Sequence, residues 1–128
     1  MENDHEQTHR ARWRTAKRPT LEKAYQFALW LVPTVEKFPR SQKFLLGDRL
    51  QSLAYDVIDG LVEAVNNRDR EKTLKQVNLR LQKMRVMFRL ANDLRHIDSR
   101  RYEFAARGID EIGQLVGGWL RADRAQKV

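Results

Sequence analysis

Cysteine is absent from the 128-residue chain, so neither a disulfide framework nor a thiolate metal site can form. That absence fits a reducing compartment. Long apolar runs are missing too. The longest, Phe27 to Val32, is six residues, against the roughly 20 that a membrane-spanning helix needs. The N-terminus is polar and carries no signal-peptide core, so the expected location is the cytoplasm, with no membrane partner. Histidine is scarce. His5 and His9 have helical ligand spacing, but nothing nearby completes a metal set, and no metal is expected. His96 falls at a predicted helix end, where an imidazole complements the helix dipole. The sequence has no glycine-rich phosphate loop and no Glu-x-x-His pattern of di-iron bundles. Without a nucleophile–base pair or paired catalytic carboxylates, the expectation is no enzyme, no catalytic residue, no cofactor and no small-molecule substrate.

What is present is helical periodicity and positive charge. In the stretch from Thr73 to Ile97, Leu74, Val77, Leu81, Met84, Phe88 and Ala91 recur at alternating steps of three and four. That spacing places them on one helix face. Lys75, Asn78, Gln82, Arg85, Arg89 and His96 fall on an adjoining polar stripe that is half cationic. Past Met84 a second apolar line follows: Met87, Leu90, Leu94 and Ile97. One core satisfies one apolar face; a second face calls for another helix or another subunit. These four residues are the expected oligomer interface.

The net charge of +8 is unevenly spread. Arg10 to Arg18 holds five basic and no acidic residues, and Arg70 to Arg95 holds eight basic and two acidic ones. The remainder is net −3, so the whole surplus lies in two stretches, as on a surface that faces a polyanion. Arg85 and Arg89, one turn apart beside Lys75, can engage successive phosphates, and Arg80 joins them as a nucleic-acid candidate. In the N-terminal stretch Arg12 and Arg14 flank Trp13, a composition suited to phosphates with one stacking aromatic. A solvated helix face plus a loose tail is the plainer reading of the same charges. An acidic ridge of Asp56, Asp59 and Glu63 also offers the arginines a structural ion-pair use, across a subunit contact.

Four helices are predicted. Residues 1–19 lack apolar periodicity and are expected to be a disordered basic tail. The first helix opens at Thr20 and places Leu21, Tyr25, Ala28, Leu29, Val32 and Val35 inward, with Pro33 inside it and Phe38-Pro39 ending it. The second runs from about Ser41 to Asn66 with Leu46, Leu50, Leu53, Val57, Leu61 and Ala64 as its core stripe. After the third, the fourth spans about Ser99 to Ala122 with Tyr102, Ala105, Ile109, Ile112, Val116 and Trp119 inward. Gly113, Gly117 and Gly118 cost about 1 kcal/mol each relative to alanine, which close approach of a neighbouring helix would offset. Residues 123–128 are expected to fray. No strand alternation occurs, and short polar connections give an all-α, up-down-up-down four-helix bundle over residues 20–122.

Several motifs in order carry a resemblance. Tyr25, Pro33, Phe38-Pro39-Arg40 and the run Phe44 to Leu50 resemble the four helix bundle protein family. That family includes the protein encoded in the intervening sequence of bacterial 23S ribosomal RNA and the accessory variability determinant (Avd) of diversity-generating retroelements. The run Lys83 to Ala91, then Glu111-Ile112-Gly113 and Gly117-Gly118-Trp119, is more similar to the retroelement branch. The resemblance covers about residues 20 to 120. It implies a ring-shaped homopentamer that binds a reverse transcriptase and its template RNA or cDNA and supports mutagenic reverse transcription. It also implies that Arg85 and Arg89 stand where the family's third-helix arginines lie. The basic N-terminal extension departs from the family pattern, so no role carries over to it. A structural oligomeric scaffold and the ribosomal intervening-sequence branch are the alternatives.

Overall fold

The computed structural model of the chain describes residues 18–126. Of the expected disordered tail, residues 1–17, with His5, His9, Arg12, Trp13 and Arg14, lie outside the described residues, whereas Arg18 and Pro19 belong to the first turn of the first helix, so Thr20, the expected cap, lies inside it. Among the described residues there are four long helices and no strand: α1 (Arg18–Glu36), α2 (Asp48–Asn66), α3 (Glu71–Asp93) and α4 (Ser99–Gln126). Helix α3 packs on both α2 and α4, and α1 closes the arrangement against α2 and α4. No helix among the described residues is long and apolar enough to cross a membrane.

The core follows the periodicity most closely on α3. All six predicted residues, Leu74, Val77, Leu81, Met84, Phe88 and Ala91, are buried at 3% exposure or less. On α4, Ala105, Ile109, Ile112 and Val116 are buried, Tyr102 and Trp119 are half-buried, and Leu120 takes the last core position. On α2, Leu50, Val57, Leu61 and Ala64 are joined by Ala54, while Leu53 is only partly covered.

Helix α1 departs from its predicted face. Ala24, Phe27, Ala28, Leu31 and Val35 point inward, whereas Tyr25 and Leu29 are exposed. Phe27 to Val32 is apolar on every side of the helix, so its period alone leaves the rotation open. Tertiary fit sets it: Phe27 meets Phe88 edge-on with ring centroids 6.3 Å apart. It also fills the space left by Gly108, where an added Cβ would come within 2.7 Å of its ring. Pro33 does not end α1, which continues to Glu36. Proline removes one backbone donor, and the next residue, Thr34, donates its hydroxyl to the Trp30 carbonyl one turn back at 2.7 Å.

The single predicted second helix is three pieces. A short turn (Arg40–Gln42) and a π-helical segment (Lys43–Gly47) precede α2. The wider π turn shifts the register, so Phe44 and Leu45 face solvent and Leu46 is half-buried.

Helix α3 stops at Asp93, four residues before the predicted Ile97. The His96 N–H donates to the Ala91 carbonyl at 2.8 Å and the Arg95 N–H to Asn92 at 3.0 Å, with Arg95 in the left-handed region at φ 61°. This is a Schellman stop, built on a residue other than glycine. The Asp98 carboxylate then accepts the Arg101 N–H at 2.8 Å and caps α4. The reversal carries Ile97 back into the core of its own chain, at 7% exposure. Its expected place in an oligomer interface is thereby corrected, because the helix that would have turned it outward has already ended.

Helix α4 runs past its predicted end at Ala122 to Gln126. Arg124 donates to Glu71 at 2.6 Å and Asp123 lies 3.4 Å from Arg70, tying the last turn to the start of α3. The tight glycines are not those expected. An added Cβ at Gly60 would lie 2.6 Å from Val77, whereas at Gly113, Gly117 and Gly118 the nearest atoms stand at 3.4–4.0 Å and belong to side chains.

Candidate nucleic-acid interface

The basic stretch from Arg70 to Arg95 maps onto α3 and its terminal turns, and the buried stripe leaves its cations on three sides. Lys75, Arg85 and Arg89 lie on the side toward α4, and Arg80 lies toward α2. Each has a carboxylate of its own chain nearby. Lys75 is 3.8 Å from Glu71 and Arg80 is 3.8 Å from Asp56. Arg85 donates to Asp110 on α4, and Arg89 stands 4.0 Å from Asp93 with its side chain 75% exposed.

The acidic ridge on α2 thus engages Arg80 through Asp56, and Arg85 finds its carboxylate on α4 instead. Exposed pairs of this kind contribute about 0–1 kcal/mol each and are screened by salt. A polyanion that releases counterions on binding can replace them. Beside Arg85 a shallow groove between α3 and α4 is lined by Asn78, Gln82, Gly113 and Gln114.

The outermost line of α3 is Lys72, Gln76, Leu79, Lys83, Val86 and Leu90, with steps of four and three. Lys72 and Lys83 are exposed and have no carboxylate partner among the described residues. Leu79, Val86 and Leu90 are 51%, 67% and 48% exposed, and Leu94 just beyond the helix is 52% exposed. Met87 is half-buried against the core. Of the four residues expected at an interface, Leu90 and Leu94 therefore present about half of their surface, and Val86 and Leu79 extend that surface toward the start of the helix. Reading the sequence for the line opposite the core stripe, and not only for apolar residues past Met84, finds both. Arg12 and Arg14 lie outside the described residues.

Among the described residues no group of three or more histidines and carboxylates is placed to hold a metal ion. The chemistry this surface offers is charge, hydrogen-bond donation and apolar contact.

A family model described as bAvd-like matches residues 20–122, from the first turn of α1 to the last turns of α4. No curated protein matches the chain.

Proposed function

The chain belongs to the bAvd-like family, and from that premise we propose that it is a non-enzymatic accessory protein of a diversity-generating retroelement. In this reading it works in the cytoplasm, binds the reverse transcriptase and the template RNA or cDNA, and needs no cofactor, membrane or small-molecule substrate. The observation that carries the nucleic-acid part is α3 with its flanking turns. Eight basic and two acidic residues lie between Arg70 and Arg95, and Lys72, Lys75, Lys83, Arg85 and Arg89 are all exposed. Lys72 and Lys83 are ready phosphate contacts, and Arg85 and Arg89 become so when phosphate oxygens replace Asp110 and Asp93. The proposal includes an up-down-up-down bundle assembled into a ring-shaped homopentamer. The exposed apolar line Leu79, Val86, Leu90 and Leu94 supports a contact between subunits.

Replacing Arg85 and Arg89 together by alanine is expected to weaken RNA binding and to lower its salt slope by about one unit per lost contact. Filter-binding titrations at several salt concentrations measure both quantities. Unchanged affinity and slope would remove these two residues from the surface.

One observation favours a second reading, a structural oligomeric scaffold that docks only protein. Lys75, Arg80, Arg85 and Arg89 all lie within 4.0 Å of a carboxylate of their own chain. Under that reading nucleic-acid binding is weak and vanishes at physiological salt, so the same titration separates the two. A gene lying inside a ribosomal RNA locus, with no reverse transcriptase beside it, would point to the intervening-sequence branch.

A further inference from the structure

A cavity of about 520 Å³ opens at the end of the bundle where α1 finishes and α3 turns into α4. That volume is within the roughly 300–1,000 Å³ of small-molecule sites. Its wall is cationic: Lys37, Arg95 and Arg101 line it, together with His96. Lys37 and Arg95 are exposed and have no carboxylate partner among the described residues. The one lining carboxylate, Asp98, is already engaged, accepting the Arg101 backbone N–H at 2.8 Å and its guanidinium at 2.7 Å. The half-buried imidazole of His96, tilted against Phe38 with ring centroids 6.3 Å apart, adds a flat surface beside the cations.

Arg95 itself is the second observation. It holds a left-handed backbone conformation, φ 61°, at the stop position where glycine fits without strain. Arginine there weakens the turn relative to glycine, yet it delivers an unpaired guanidinium to the cavity.

From the cavity, its unpaired cations and the occupied Asp98, we infer that this end of the bundle binds a phosphate monoester, carried by a free nucleotide or by the end of a nucleic-acid strand. A phosphate monoester brings close to two negative charges near neutral pH, which Lys37 and Arg95 match. Of the eight basic residues between Arg70 and Arg95 the site uses Arg95 alone, beyond the end of α3, and none of Lys72, Lys75, Lys83, Arg85 or Arg89.

Fluorescence anisotropy on the full chain tests this with two labelled oligonucleotides of one sequence, one ending in a phosphate and the other in a hydroxyl. A strand-end site favours the phosphorylated oligonucleotide by roughly tenfold, the effect of one charge-assisted hydrogen bond. Adenosine monophosphate, titrated directly and as a competitor, distinguishes the sources: a free-nucleotide site binds it and releases the phosphorylated strand. Arg95→Gly is expected to melt at an unchanged or higher temperature and to bring the preference close to one. Lys37→Ala, at an exposed position, is expected to reduce it in the same direction. The Arg85→Ala/Arg89→Ala variant should weaken both oligonucleotides alike and keep their ratio, which separates this site from the α3 surface. The inference is overturned if neither the terminal phosphate nor adenosine monophosphate shows binding that Arg95→Gly removes.

Discussion

Two glycines permit the closest approaches between helices, and others in the chain do not. At Gly60 an added methyl meets Val77 Cγ2, a branched carbon fixed in the core. Gly60→Ala is therefore expected to lower stability by about 1–3 kcal/mol through overpacking. At Gly117 the nearest atom, at 3.4 Å, is the far end of the exposed Arg121 side chain, which can swing away. Gly117→Ala should raise stability by about 0.5–1 kcal/mol, because alanine is the better helix former. Urea denaturation of the two variants gives opposite signs if this assignment of the contacts is right. Arg70 presents a different residue-scale problem. Its guanidinium lies 5.8 Å from the centre of the Trp119 ring and its Nε is buried without a hydrogen-bond partner. With Arg70 and Asp123 side chains at 15% and 11% exposure, their 3.4 Å pairing is largely desolvated. Asp123→Asn leaves that cation poorly compensated and is expected to cost about 1–3 kcal/mol. The loss should persist in high salt, unlike that of an exposed pair; a loss erased by salt would mean the pair is solvated.

At the scale of the element, α3 is the wall shared by α2 and α4, and its buried stripe has no polar interruption. Leu81 lies mid-helix at 3% exposure. Leu81→Ala is expected to destabilise by about 2–5 kcal/mol, measured as a shifted denaturation midpoint with an unchanged slope. The stripe was legible in the sequence because Leu74, Val77, Leu81, Met84, Phe88 and Ala91 keep the helical spacing without a break, while the apolar residues outside it are interspersed with Lys72, Gln76 and Lys83. On α1 the run from Phe27 to Val32 admits several rotations, and the predicted Tyr25 and Leu29 turned out exposed. Phe88 and Gly108, distant in sequence, choose the rotation that buries Phe27. The end of α3 was hidden for a related reason. Arg95 is a poor signal for a helix stop, since its side chain gives no hint of the left-handed conformation that the turn requires. Ile97 consequently reads as one more helical residue when it is the first to fold back inward.

At the scale of the whole molecule, one face of α3 remains apolar after the bundle has closed. Val86, Leu90 and Leu94 are exposed by 67%, 48% and 52%, with Lys83 alongside. If this line joins subunits, as proposed, Leu90→Glu and Leu94→Glu should each dissociate the assembly while leaving helix content intact. Light scattering with circular dichroism checks both halves of that expectation. A monomeric parent chain would assign the apolar line to another partner. Core truncation at Leu81 and charge insertion at Leu90 therefore predict different losses: the first lowers stability within a subunit, the second acts between subunits.

The amino-acid sequence by itself determined that this protein is helical, where its four long helices lie, to within a few residues except at the start of α2, and which face of α3 is buried. Those properties follow from spacing along one chain segment, and they need no knowledge of what lies opposite. Tertiary structure alone decided the rotation of α1, the return of Ile97 to the core and the glycines at which helices touch. It also decided that Arg85 meets Asp110 instead of the α2 ridge, and that Lys37 and Arg95 share a cavity. Each of these depends on which surfaces meet across the bundle, and a contact between residues far apart in sequence leaves no periodic trace in either of them.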